Sequence, residues 1–85
     1  MGRLEVVYVY VILTHFGTYY TGITNNLKRR MSEHEAGKSS YLKKFKPKQL
    51  VYIEECECRK VAAKKEAYIK KNGAKKFLLK LKYKE

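Results

Sequence analysis

Aspartate is absent from this 85-residue sequence, so all eight acidic residues are glutamates, against 20 lysines and arginines. The formal net charge is +12. Residues 1–36 hold four basic and three acidic residues, whereas residues 37–85 hold 16 and five. A charge this large and uneven predicts an anionic partner, and a phosphate polymer is the commonest one. The alternative is a lysine-rich surface kept for solubility.

Cysteine is also scarce. Cys56 and Cys58 are separated by one residue, which is too close for a comfortable disulfide, and small secreted domains normally carry several pairs. A zinc site needs about four ligands, and the remaining candidates, His15 and His34, do not stand at paired-ligand spacing. We therefore interpret the thiols as bystanders in a reducing compartment.

Long hydrophobic runs are missing too. The longest, VVYVYVIL, has eight residues, which is too few for a signal peptide or a membrane span. We expect a cytoplasmic protein with no membrane partner. The length predicts a single domain over residues 1–85.

Hydrophobic patterning predicts an α+β fold with the order β-β-α-β-α and a short C-terminal helix. Val6–Leu13 and Tyr19–Thr24 are rich in β-branched and aromatic residues, and the THFGT between them is typical of a hairpin loop. Gln49–Glu55 is predicted to add a third antiparallel strand. The basic stretch GKSSYLKKFKPKQ, residues 37–49, is interpreted as a linker.

Apolar spacing and capping residues predict the helices. Asn25 or Asn26 can cap the first one, and Gly37 can end it. Its stripe at i, i+3, i+4 and i+7 is Leu27, Arg30, Met31 and His34. The second helix is predicted over Arg59–Lys71. The third has apolar residues at Ala74, Phe77, Leu78 and Leu81, and we expect Phe77 and Leu81 to pack it against the domain.

Polar and aromatic residues interrupt these patterns around the first helix. Alternate residues of a strand share one face, so Tyr20 and Gly22 lie on the same face of the second strand. Tyr10 of the first strand can then meet Tyr20 across the hairpin. Glycine inside a strand usually marks a bulge or the close approach of a backbone or ligand. Arg30 and His34 project side by side towards the sheet. The alternative is that these are core aromatics, a snorkelling arginine and a helix-capping histidine.

Glu66 interrupts a second stripe. It lies between Ala62 and Ile69 on the face of the second helix that should be buried, where a carboxylate is costly unless it is paired or bound to metal. Lys65 or Lys70 could pair with it. The other interpretation is metal-assisted phosphodiester cleavage, in which one carboxylate holds one hard divalent ion. Without aspartate, one-metal chemistry is the only metal route available.

These residues resemble the GIY-YIG nuclease superfamily. The resemblance is carried by YVY at Tyr8–Tyr10, YTG at Tyr20–Gly22, the helix TNNLKRRMSEH, and AAKKEAYIKK around Glu66. It extends over residues 7–81 and is closest to the small stand-alone bacterial members. The chain departs from the family pattern at Tyr8, at Thr21 and in lacking a counterpart of the late asparagine.

The resemblance implies a GIY-YIG fold and a role for each matching residue. Tyr20 would be the general base or would position the attacking water, with Tyr10 supporting it. Arg30 would stabilise the transition state, and His34 would assist proton transfer or contact the phosphate. Glu66 would bind one Mg²⁺ or Mn²⁺ ion, and we expect Tyr10, Tyr20, Arg30 and Glu66 to surround one cleft.

Three functions fit the sequence. The leading one is a structure-directed or low-specificity endonuclease that cleaves DNA with one divalent metal ion, with DNA favoured over RNA as the substrate. The second is a non-catalytic nucleic-acid-binding module on the same fold, and the third is a protein-interaction module. In the first two, nucleic acid would bind to Lys43, Lys44, Lys46 and Lys48, with Tyr41 or Phe45 stacking on a base.

Overall fold

The computed structural model describes residues 6–83. Its elements in chain order are β1 (Val7–Thr14), β2 (Tyr19–Thr24), α1 (Leu27–Glu35), α2 (Ser40–Phe45), β3 (Pro47–Cys56), α3 (Arg59–Asn72) and α4 (Ala74–Tyr83). The three strands form one antiparallel sheet in the order β2-β1-β3. The predicted α+β fold with a three-stranded antiparallel sheet and flanking helices is therefore confirmed.

Helices cover both faces of the sheet. On one face, the valines of β1 pack against Ala62 and Ile69 of α3 and Phe77 of α4. On the other face, Tyr10 and Ile12 pack against Leu42 of α2, with side chains of α1 around them. Because β1 is the central strand, alternate residues along it supply both cores. The helices α1 and α3 therefore lie on opposite sides of the sheet.

Local signals set the bounds of α1. Asn26 caps it, since its side-chain oxygen accepts a hydrogen bond of 3.0 Å from the backbone N–H of Arg29. Gly37 follows the helix with φ of +79°, a conformation that favours glycine. Both ends agree with the prediction. The cap also fixes the rotation of α1 and thereby turns His34 towards the sheet, where it is buried.

The interpretation of residues 37–49 as a linker is wrong. Ser40–Phe45 forms α2, and β3 begins at Pro47, two residues earlier than predicted. Leu42 is the one buried residue of α2, with Tyr41 and Phe45 partly buried beside it. A helix of six residues is too short for this spacing to distinguish it from a loop. This helix brings Tyr41 and Phe45 next to the β1–β2 hairpin.

The expected packing of α4 is half right. Phe77 is buried, but Leu81 is 44% exposed. Ala74 and Leu78 complete the contact with the core, so the packed part of the helix ends one turn before Leu81. Within residues 6–83, no helix is both long and apolar enough to span a bilayer.

Candidate active site

The strand register explains Gly22. Tyr10 and Gly22 are directly paired between β1 and β2, and Tyr10 is completely buried. A Cβ atom on Gly22 would lie 2.6 Å from the Tyr10 hydroxyl oxygen and 2.8 Å from its Cζ. The close approach expected at Gly22 is therefore made by the Tyr10 side chain. Glycine leaves room for a tyrosine ring to lie across the neighbouring strand.

The Tyr10 hydroxyl meets His34 of α1. Its oxygen is 2.7 Å from His34 Nε2, and His34 is as fully buried as Tyr10. Arg30 lies close enough to the Tyr10 hydroxyl for the two groups to shift each other's pKa. Either atom can be the donor in the Tyr10–His34 bond, because a phenol oxygen can accept as well as donate and the role of Nε2 follows from the imidazole tautomer. His34 Nδ1 is buried and has no hydrogen-bond partner among the described residues.

Burial controls the protonation of this pair. Burial raises the pKa of Tyr10 to about 12, although the nearby Arg30 acts to lower it. Burial also lowers the pKa of His34, and the charge of Arg30 adds to that lowering. Both groups are consequently neutral at pH 7. With Nε2 engaged by Tyr10 and the ring buried, His34 has no surface for a direct phosphate contact, so its geometry fits an orienting role.

Arg30 is the charged member of the cluster. Its pKa is raised, first by the contact with the Tyr10 hydroxyl and next by the hydrogen bond to Glu33. The Arg30–Glu33 distance is 2.9 Å, and the arginine side chain is 37% exposed. Glu33 was missed by the sequence analysis, although its i+3 spacing from Arg30 was a usable signal. A permanent cation thus lies between the buried pair and solvent.

Tyr20 completes the group on this face. Its ring centroid is 5.2 Å from that of His34 and 6.2 Å from that of Tyr10. Unlike those two residues it is only partly buried. The structure therefore brings Tyr10, Tyr20, Arg30 and His34 together, as the strand and helix patterns predicted.

Glu66 is placed differently from the expectation. It is on α3, which covers the other face of the sheet, so it does not join the Tyr10 cluster in a cleft on one face. Its carboxylate is 3.1 Å from Lys70 Nζ, and its side chain is 24% exposed. Lys65, the other suggested partner, instead pairs with Glu54 at 3.3 Å. Among residues 6–83 there is no cluster of three or more His, Cys, Asp or Glu side chains.

An open cavity at the edge strand β2 connects the two faces. Its volume is about 530 Å³. Tyr20 and Tyr41 line it from the side of α1 and α2, and Lys70 and Lys75 line it from the side of α3 and α4. We call this space the edge cavity. Glu66 does not line this cavity itself, but its ion-pair partner Lys70 does. A larger cavity, of about 590 Å³, lies between α3, α4 and β3 and holds none of the predicted site residues.

The predicted nucleic-acid-binding residues lie around α2. The four lysines there are all exposed, namely Lys43, Lys44, Lys46 and Lys48. Tyr41 and Phe45 are partly buried, with ring centroids 4.8 Å apart. Phe16, in the hairpin loop, contacts Phe45 and was missed by the sequence analysis. An apolar ring in a loop otherwise made of turn residues was the available signal.

Comparisons with known proteins agree with this geometry. The family model of the GIY-YIG catalytic domain matches residues 6–80. The chain belongs to the GIY-YIG family. Catalytic domains of this family act on nucleic acid and generally use a divalent metal ion.

The chain is also similar to proteins that carry the name UPF0213. A UPF0213 protein of Desulfotalea psychrophila is 42% identical over 65 residues, which are 74% of this chain and 59% of that protein. One of Limosilactobacillus reuteri is 37% identical over 81 residues, covering 88% and 84% of the two chains. One of Natronomonas pharaonis is 39% identical over 64 residues, covering 74% and 75%. No solved structure matches the chain significantly.

Proposed function

We propose that this GIY-YIG protein is an endonuclease that hydrolyses DNA phosphodiester bonds with the help of one divalent ion. The observation that carries the proposal is the convergence of Arg30, Tyr10 and Tyr20 beside the lysine-lined edge cavity. A phosphate in this cavity would be held by Lys70 and Lys75 and would face Tyr20. Arg30 would reach the same phosphate from beside Tyr10 and Tyr20, with which its side chain interacts.

Arg30 would stabilise the transition state. When water adds to phosphorus and the bond to one sugar oxygen breaks, negative charge increases on the phosphoryl oxygens. A cation that is already oriented stabilises that charge without reorganising during the reaction. The contacts of Arg30 with Tyr10 and Glu33 hold it in one place. Its fork of N–H donors leaves groups free for phosphate after those two contacts are made.

Tyr10 and His34 would position Arg30 rather than exchange protons with the substrate. Tyr10 keeps its proton at neutral pH, because burial raises its pKa to about 12. Its hydroxyl oxygen is 2.7 Å from His34 Nε2, and this hydrogen bond would hold the phenol in place beside Arg30. The neutral imidazole thereby fixes the orientation of the hydroxyl, and the hydroxyl fixes the guanidinium.

Tyr20 would act on the attacking water. It is the member of the cluster that reaches the edge cavity, so its hydroxyl is the one that water and phosphate can meet. In this role it would orient the water oxygen towards phosphorus and relay the proton that the water loses, its oxygen taking up that proton while its own O–H proton passes to solvent. The leaving sugar oxygen takes its proton from solvent.

Glu66 would hold the metal ion. Mg²⁺ is commonly bound by one or two carboxylates, substrate phosphate and several waters, so a single half-buried glutamate fits it, and Mn²⁺ accepts the same oxygen ligands. The ion pair with Lys70 would have to open for this. A bound divalent ion would supply positive charge for the phosphate oxygens. Within residues 6–83, the donors near Glu66 do not include a cluster of acids that would call for another ion.

The lysines around α2 would supply affinity without sequence specificity. Lysine contacts to phosphate position a duplex or strand but carry no sequence information. The high positive charge of this half of the chain also favours rapid, salt-sensitive association. These properties fit an enzyme that recognises the structure of DNA more than its sequence.

The decisive experiment compares Glu66→Gln with the matched control Glu57→Gln. Both remove one carboxylate, but Glu57 is exposed and away from the edge cavity. On a panel of single-stranded, duplex and branched DNAs with Mg²⁺ or Mn²⁺, Glu66→Gln should lower cleavage by orders of magnitude and leave binding almost unchanged. Glu57→Gln should retain the activity of the wild type.

Arg30→Ala provides a second test, with Arg29→Ala as its control. The Arg29 side chain is 62% exposed on the same helix. Loss of a transition-state cation should reduce the chemical step by about 10²-fold or more, whereas Arg29→Ala should alter only binding. If the wild-type protein cleaves none of these DNAs and binds no metal through Glu66, the protein is a binding module instead. If the protein cleaves RNA and none of the DNAs, its substrate is RNA and the proposed DNA substrate is wrong.

A further inference from the structure

Four aromatic rings form a continuous row from the candidate active site to the tip of the β1–β2 hairpin. The order is Tyr20, Tyr41, Phe45 and Phe16, and the successive centroid distances are 5.6, 4.8 and 5.5 Å. We call these residues the aromatic row. They come from β2, α2 and the hairpin loop, so their alignment is produced by the fold and not by sequence proximity.

The outer end of the row is exposed but held in place. Phe16 is 68% exposed. Its backbone N–H donates to Thr14 Oγ1 at 3.2 Å, and the N–H of His15 donates to the carbonyl of Lys46 at 3.0 Å. The second bond ties the hairpin loop to the start of β3. A large apolar ring is therefore presented to solvent on an anchored loop, next to Phe45.

Positive charge surrounds the row. Lys44 Nζ is 5.4 Å from the centroid of the Phe45 ring. Lys43 and Lys46 are exposed on either side of this part of α2, and Lys70 and Lys75 line the edge cavity at the other end. Aromatic faces combined with a cationic track are how proteins bind single-stranded nucleic acid, since every unpaired base offers a face for stacking.

A duplex does not use such a row well. Each base inside a duplex is already stacked on its neighbours, so exposed rings beside duplex DNA meet only sugar and phosphate. A protein segment that covered the row would need to be acidic to match its lysines. The row starts at Tyr20 and ends at an exposed ring. Unpaired bases next to a phosphate in the edge cavity could therefore stack along it.

We propose that the aromatic row stacks unpaired nucleobases next to the phosphate at Tyr20, so that the preferred substrate is single-stranded or locally unpaired DNA. The cleavage part of this proposal rests on the proposed endonuclease function, whereas the binding part does not. Phe16 is the outermost platform, and the bases stack along Phe45 and Tyr41 towards the edge cavity.

The test measures binding in EDTA, where cleavage plays no part. The probes are a fluorescently labelled oligothymidylate and a labelled duplex of equal length. Phe16→Ala should weaken binding of the single strand roughly 5- to 100-fold, which is the loss expected for one stacked base, and should leave duplex binding unchanged. Phe16→Trp should restore single-strand affinity. Leu79→Ala, which truncates a 46% exposed side chain on α4, is the matched control and should change neither affinity.

A second readout reports stacking directly. A 2-aminopurine base placed in the single strand should lose fluorescence on binding to the wild type and keep it on binding to Phe16→Ala. Equal loss of affinity for strand and duplex in Phe16→Ala, or no loss for either, would overturn the proposal. Cleavage by the wild type with no effect of Phe16 on single-strand binding rejects the aromatic row and leaves the nuclease. Phe16-dependent binding of the single strand without any cleavage supports the aromatic row and rejects the nuclease function.

Discussion

Replacing Gly22 with alanine should displace the Tyr10 hydroxyl from His34. The added Cβ would lie 2.6 Å from the hydroxyl oxygen and 2.8 Å from Cζ of the same ring. Carbon contacts are optimal at about 3.5–4.0 Å, so the ring must move by roughly half an ångström or more. Tyr10 is completely buried at the centre of one core, so its neighbours must move with it.

The expected cost has two parts. Overpacking a well-filled site costs about 1–3 kcal/mol. Movement of the hydroxyl also breaks the 2.7 Å hydrogen bond to His34 Nε2, and a buried polar atom left without a partner costs about 1–3 kcal/mol. We therefore expect Gly22→Ala to lower the free energy of unfolding by about 2–5 kcal/mol, out of a total of about 5–15 kcal/mol for a domain of this kind.

Urea denaturation of a double-mutant cycle separates the two parts. Tyr10→Phe removes the oxygen that clashes and the hydrogen bond to His34, so Gly22→Ala combined with Tyr10→Phe should cost less than the sum of the single changes, by about 0.5–3 kcal/mol. Gly17→Ala is the control, because Gly17 has φ of +82° and no atom within 4 Å of an added Cβ. It should cost about 1–2 kcal/mol through backbone strain and add simply to Tyr10→Phe. Additivity in the Gly22 cycle would refute the close contact.

Three further predictions concern His34, α2 and the lysines. Because burial lowers the pKa of His34, the unfolded state binds its proton more readily, and the free energy of unfolding should fall as the pH decreases below about 6.5. Urea titrations from pH 8 to pH 5 should show this slope, and His34→Gln should reduce it. Leu42→Ala should cost about 2–5 kcal/mol in the same assay, since Leu42 is the buried anchor of α2. Neutralising the four lysines around α2 should reduce the slope of log K for DNA binding against log salt concentration. The reduction should be about 0.7–0.9 for each phosphate that the protein no longer neutralises. An unchanged slope would place the DNA-binding surface on residues 75–84.

The parts of the fold that the sequence predicted are those with a repeating pattern or a local signal. Strand alternation placed Tyr10 and Tyr20 on one face of the sheet, and helical spacing added Arg30 and His34. Each of these positions follows from a period of two or of 3.6 residues. Once α1 is known to follow β2 closely and to be capped at Asn26, few orientations of the helix remain. The cluster around Tyr10 could therefore be predicted from the sequence alone.

The parts that could not be predicted depend on which side of the sheet an element packs. A stripe on α3 shows that Ala62 and Ile69 are buried, but it does not say against which face. Glu66 was for this reason expected beside Arg30, although α3 covers the opposite face. The aromatic contact between Phe16 and Phe45 joins residues 29 positions apart in the chain, and no periodicity encodes a contact of that kind.

The arrangement of charge in the Tyr10 cluster accounts for the use of a buried histidine there. An ionised His34 would place a second positive charge close to Arg30 and would compete with it for the Tyr10 oxygen. Burial keeps the imidazole neutral, and its Nε2 shares a hydrogen bond of 2.7 Å with the Tyr10 hydroxyl. The same burial keeps Tyr10 protonated. The two residues thus hold an uncharged, buried hydrogen bond beside Arg30, and of these three residues it is Arg30 that carries charge.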